Sequence, residues 1–254
     1  SRLSLWDRRA FFERNDVLDT IGAMHLGVLL LFTIYNFMLY GAVRERGYLW
    51  FALYSASLLL RALVYNNTLF AYVWPDTPQI QNIVLMVSFF STSTFLALFA
   101  ASYLNLIQYS SRLNTLFRFF VYGHVVILLY MILQKWDLQS SYLWVAYVWA
   151  FGFVILFTSL WVFRQGERDA MWFFAGYLVM ILLSVFSAGN YLFLWDIPFL
   201  KEEIGELAVM IAMSIALSLR IGKSQASASL SYAQSKAKSE FLAKMSHEIR
   251  TPIN

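Results

Sequence analysis

The residues best suited to chemistry lie in SHEIRTPIN, Ser246 to Asn254. A neutral, solvent-facing imidazole is a nucleophile able to attack a γ-phosphoryl group. His247 is followed directly by Glu248, a carboxylate placed to take or polarise the proton leaving the ring. Thr251 stands four residues after His247, one helical turn along the same face, where a hydroxyl can hold a water or polarise a phosphorylated imidazole. Pro252 follows, and a proline bends or ends a helix and opens its reactive face. Arg250 reads as an electrostatic or packing residue. A plainer reading stands beside this one, in which His247 is a surface residue and Pro252 only terminates the helix. Residue types and spacing leave both open.

A second set of candidates lies inside apolar sequence. Arg61 falls about 13 residues into an apolar run, roughly 20 Å at 1.5 Å per residue, where an ionised side chain must pair or reach outward. Glu206, near the start of the last apolar run, is its candidate opposite charge. The two are candidates for intramembrane signalling and equally for a structural pair. His25, Asn36, Asn66, Asn67, His124 and Asn190 can line a buried polar pocket or act singly as contacts between helices. Gly22 with Gly27, and Gly189 beside Ser187 and Ala188, permit close backbone approach. The three histidines are too far apart for a ligand cluster, and a chain without cysteine has no disulfide or thiolate metal site. No cofactor or metal is expected on this chain. Retinal chemistry needs a lysine deep in a late helix, and none occurs from Ile204 to Arg220. No inverted repeat points to a channel or transporter.

The elements that would position these residues follow from composition. The chain is 60% hydrophobic and 13% charged, against roughly 45–50% and 25% in soluble domains. Nine tryptophans, fifteen tyrosines and twenty-three phenylalanines add amphipathic rings suited to the membrane interface. Apolar runs of helical length recur at about 18–43, 48–70, 80–104, 114–134, 140–163, 169–192 and 202–221, each within the roughly 17–25 residues that a crossing needs. Between them, RERG, WPDTPQ, NLIQYSSRLN, QKWDLQ, RQGERD and LWDIPFLKEE bring charge, glycine or proline where the chain must leave the membrane. The fold class expected is an all-α membrane protein: a seven-transmembrane helix bundle followed by a cytoplasmic signalling helix.

Direction follows from the short loops. Arg44 and Arg46, Arg112 and Arg118, Arg164 and Arg168, then Arg220 and Lys223 fall on one side, which the positive-inside bias makes cytoplasmic. The N-terminus is then expected outside and the C-terminus cytoplasmic. Arg2, Arg8, Arg9 and Arg14 oppose this assignment, but Asp7, Glu13, Asp16 and Asp19 offset them. The net charge of +4 is thereby explained by topology, and no nucleic-acid partner is implied. No secretory signal peptide is present and the first residue is Ser1, so the numbering is expected to begin inside a longer product.

After Arg220 the chain becomes rich in alanine, serine and lysine. Leu230, Ala233, Ala237, Phe241 and Met245 form one stripe spaced 3, 4, 4 and 4, with Leu242 and Ile249 broadening it. A parallel dimeric coiled coil continuing from the last span is expected, hence a homodimer. The divisions that result are a juxtamembrane linker at 1–17, the membrane domain at 18–221, a signalling helix at 222–240 and a phosphoacceptor segment at 241–254.

Three stretches resemble two known modules. YLWFALYSASLLLRALVYNNTLFAYVWPD, Tyr48 to Asp76, and GELAVMIAMSIALSLRI, Gly205 to Ile221, are similar to the second and seventh spans of bacterial seven-helix receptors carrying diverse intracellular signalling modules. FLAKMSHEIRTPIN, Phe241 to Asn254, resembles the phosphoacceptor box of bacterial sensor histidine kinases. The first resemblance implies a periplasmic sensory domain, commonly of carbohydrate-binding-like jelly-roll type, before the first span. The second implies that His247 is the phosphoacceptor, Glu248 its acid/base aid, Thr251 part of phosphatase-related geometry and Pro252 the helix bend. It also implies an ATP-binding domain using Mg2+ in the full-length protein, without which this chain would be inactive alone, and a receiver domain or response regulator as phosphate acceptor. Membrane lipids are the remaining partner. The alternative function is a non-catalytic receptor that regulates another sensor kinase by binding it.

Overall fold

A computed structural model describes residues 8–133, 138–193 and 202–250. Among these residues the chain is helical throughout: α1 (Arg8–Val43), α2 (Arg46–Tyr65), α3 (Thr68–Tyr72), α4 (Pro78–Tyr103), α5 (Leu106–Tyr109), α6 (Ser111–Leu133), α7 (Leu138–Arg164), α8 (Ala170–Phe193) and α9 (Glu202–Arg250). Six of them, α1, α2, α4, α6, α7 and α9, are long and apolar enough to cross a membrane, and α8 adds the apolar stretch Ala170–Val185. This is a multi-pass membrane bundle. Apolar side chains such as Leu31, Met38, Val126 and Phe157 point outward, where hydrocarbon replaces water as solvent.

Several boundaries differ from the sequence expectation. The first helix begins at Arg8, well inside the stretch read as a linker. The second run does not continue to residue 70. It stops at Tyr65 because Asn67 adopts a left-handed conformation, φ 54°, which asparagine tolerates better than most residues. Left-handed residues also turn the chain at Arg44 (φ 59°), Asn105 (φ 47°) and Gly166 (φ 104°). The NLIQYSSRLN connection contains a helical turn, α5. The last helix, α9, runs unbroken through residues 221 and 240, so the last span and the tail beyond it share one backbone, as the expected continuation of the span requires. For orientation, the end of the bundle from which α9 projects is the tail face, and the opposite end the far face.

Packing proceeds around the bundle in the order α1, α2, α4, α6, α7, α8, α9. The ring closes where α9 meets α2, with the Tyr48 hydroxyl donating to the Leu217 carbonyl at 3.2 Å. Aromatic contacts tie α2, α4 and α8 together: Phe51 to Phe99 at 4.8 Å, Phe99 to Phe173 at 5.7 Å, and Phe173 to Tyr103 at 5.6 Å between ring centroids. In lipid such interlocking surfaces supply the association that water supplies elsewhere.

Of the glycines singled out from the sequence, Gly22 faces the Asn66 side chain, 3.6 Å from where a Cβ would stand. A Cβ on Gly27 would meet nothing within 4 Å. On Gly176 it would sit 2.7 Å from the Ala212 Cβ, and on Gly205 3.4 Å from the Leu183 Cβ. Together with the Asp169–Lys223 ion pair at the tail face, these contacts set α8 antiparallel to α9 along the whole apolar part of α9. Gly176→Val should therefore push the two helices apart and cost about 1–3 kcal/mol through overpacking. Thermal unfolding in detergent would show this as a lowered midpoint, partly restored by Ala212→Gly. A Gly176→Val protein as stable as the parent would contradict the close approach.

Candidate functional site

Arg61 and Glu206 come together as an ion pair joining α2 to α9. Helical periodicity places both near the far face: Arg61 is four residues before the last residue of α2, and Glu206 four after the first of α9. The depth inferred by counting from the tail face is thus also a position about one turn from the opposite end. Both side chains are largely withdrawn from solvent, 15% and 13% exposed. The guanidinium also lies over the Phe89 ring, 5.1 Å from its centroid, a favourable stacking for Arg.

Beside this pair, a cavity of about 350 Å3 separates α2 and α4 from α7 and α8. Its deeper wall is apolar and aromatic, with Leu58, Leu96, Phe151 and Ile181. Thr92 and Ser93 also line it, but their hydroxyls donate to α4 carbonyls, Thr92 to Ser88 at 2.8 Å and Ser93 to Phe89 at 3.1 Å. The charged pair is therefore its strongest polar feature.

The other polar residues do not converge there. Asn66 and Asn67 are exposed at the α2–α3 turn, where Gln81 donates to the Val64 carbonyl at 2.6 Å and accepts from the Trp74 indole at 3.0 Å. His25 and Asn36 are buried on α1, and Asn36 donates to the Phe32 carbonyl at 2.8 Å. His124 is buried on α6, with Nδ1 2.8 Å from the Phe120 carbonyl and the rings of Phe90, Tyr147 and Phe151 edge-on around it. The surroundings of Gly189 and Asn190 lie outside the described residues. Of the two readings of this set, single contacts fit Asn36 and His124, each of which bonds a carbonyl one turn back on its own helix.

At the tail face a second cluster grips α9 as it leaves the bundle. Lys223 pairs with Asp169 at 2.6 Å. Arg220 donates to the Tyr103 carbonyl at 3.0 Å and lies 5.8 Å from the centroid of that ring. The Tyr103 hydroxyl donates in turn to the Asp169 carbonyl at 3.2 Å. Tyr109 donates to Glu167 at 3.4 Å, and desolvation together with that carboxylate raises its phenol above the ordinary range. Along the sequence, Arg220 and Lys223 read only as topology charges. Their partners are respectively 117 and 54 residues away in sequence, so no local spacing announces them.

His247 and Glu248 lie on the helical backbone of α9. Thr251 and Pro252 lie outside the described residues. Among the described residues, no group of three His, Asp or Glu side chains is placed to hold a metal ion.

The family model described as 7TM diverse intracellular signalling matches residues 19–220. No curated protein and no solved structure matches the chain. The matched range begins within α1 and ends at Arg220, so it covers the bundle, the Arg61–Glu206 pair and the root of the tail. The chain belongs to the 7TM diverse intracellular signalling family and is a transmembrane receptor in signalling.

Proposed function

We propose that the chain is the receptor part of a two-component sensor histidine kinase in the bacterial inner membrane. The far face is periplasmic, the tail face cytoplasmic, and α9 carries the signal to phosphoacceptor His247. The observation that carries this reading is the continuity of α9, whose 49 residues run unbroken past Glu206 of the ion pair to the His247 segment. At 1.5 Å per residue such a helix reaches about 70 Å. Rotation or tilt where it leaves the bundle is transmitted along one backbone. Outside the bundle, the stripe residues Leu230, Phe241, Leu242 and Met245 are exposed on the single chain, which suits pairing with a second copy.

In this reading a periplasmic domain, of carbohydrate-binding-like type, receives the signal. The kinase domain of the full-length protein supplies ATP and Mg2+, and the phosphoryl group passes from His247 to an aspartate of a receiver domain or response regulator. Glu248 assists proton transfer at the imidazole. Thr251 positions water for phosphate removal, and Pro252 bends the helix.

The test is to incubate full-length protein with ATP and Mg2+ and map acid-labile phosphate to individual residues by mass spectrometry. Label on His247 is expected, with none in the 254-residue chain alone. Label on a different histidine would overturn the assignment. A full-length protein that takes no label but still alters a partner kinase would establish the non-catalytic receptor instead.

A further inference from the structure

We propose that the cavity beside Arg61 and Glu206 binds a small single-chain carboxylate amphiphile, its head on Arg61 and its alkyl chain along the apolar wall. At about 350 Å3, the cavity stands at the small end of the roughly 300–1,000 Å3 range of ligand pockets. The deeper part offers Leu58, Leu96 and Phe151 to the chain, while Thr92 and Ser93 already satisfy their hydroxyls within α4. Tyr54, Tyr177 and Ser184 also line the cavity, so a neutral hydroxyl finds partners along the wall, but none that balances a charge. A ligand with one charged end finds the ion pair.

The sign of that charge follows from which member of the pair is held. Arg61 is fixed over the Phe89 ring as well as against Glu206, and its forked guanidinium accommodates a second carboxylate. Glu206 stands one turn from the start of its helix, so its carboxylate can swing toward water when displaced. A cationic head would instead have to expel Arg61 from both contacts. A carboxylate ligand therefore competes with Glu206 and opens the tie between α2 and α9 at the far face. This goes beyond the phosphoacceptor reading and does not depend on it, because its measurement is binding.

The probe is a bromine-tipped decanoate, added to the chain in phosphatidylcholine nanodiscs. Bromine quenches nearby indoles, and Trp149 lines the cavity, so a saturable quenching component that disappears in Trp149→Phe is expected. Unlabelled decanoate should displace the probe about tenfold more effectively than decanol or decyltrimethylammonium. Arg61→Gln should weaken decanoate about tenfold, whereas Glu206→Gln, which removes the competing charge at nearly constant shape, should strengthen it about tenfold. Ser93→Phe should remove the saturable component by filling the cavity. Equal displacement by decanol would reduce the cavity to a greasy crevice and overturn the proposal. So would weakening of decanoate by Glu206→Gln, which would make the pair a structural bolt. Quenching that never saturates would mean that nanodisc lipid tails hold the cavity, and would overturn the proposal as well.

Discussion

Two residues inserted after Ser235 in the full-length protein should abolish ligand control of phosphorylation, whereas seven should restore it. The reason is the helical phase of α9. Because the helix runs unbroken from Glu202 to Arg250, whatever the bundle does to its root arrives at His247 with a defined rotation. Two extra residues turn the downstream part by about 200° at 100° per residue, while seven leave a net offset of only about 20°. The stripe of Leu230, Ala233, Ala237, Phe241 and Met245 brackets the insertion point, so the short insertion also misaligns pairing between two copies. Kinase output and intersubunit crosslinking would be measured for each variant after equal membrane insertion is verified. Replacing the exposed serines of this region by alanine should change output little. Equal responses from the two insertions would mean that the segment is a flexible tether.

Removing one member of the Arg61–Glu206 pair should destabilise the bundle more than removing both. A single Arg61→Met leaves the Glu206 carboxylate without its partner until it turns toward water at the helix start, and Glu206→Met leaves the guanidinium uncompensated in a largely desolvated position. Breaking such a pair from one side costs about 3–5 kcal/mol when both charges are buried. The exposures of 15% and 13% place the expected loss toward the lower end of that range. The double replacement carries no uncompensated charge and fills the same space with apolar atoms, so it should regain at least half of either loss. Thermal unfolding of all four proteins in one detergent gives the coupling directly. Strictly additive losses would show that the two side chains do not interact.

Much of the architecture is legible in the residues because a membrane imposes simple rules. A backbone in hydrocarbon must satisfy its own hydrogen bonds, so long apolar runs become helices. Charges, glycines and prolines mark where the chain emerges. Hydropathy makes the second helix too long because Leu69, Phe70 and Tyr72 continue the apolar character beyond the Asn66–Asn67 turn. It averages over such a turn, whereas the left-handed geometry of Asn67 ends the helix at a point. The proposed chemistry of His247 is equally local, resting on neighbours within a single turn.

The amino-acid sequence by itself determined the membrane character, the approximate spans and the presence of the SHEIRTPIN segment, because each depends on residues adjacent along the chain. Only the tertiary structure decided that Arg61 meets Glu206, that Gly176 rather than Gly27 is a point of close helix approach, and that Lys223 and Arg220 grip the root of α9. Those contacts join residues far apart in sequence. Helical periodicity determines the face on which each side chain stands, but which faces meet depends on how the side chains of several helices fill space together.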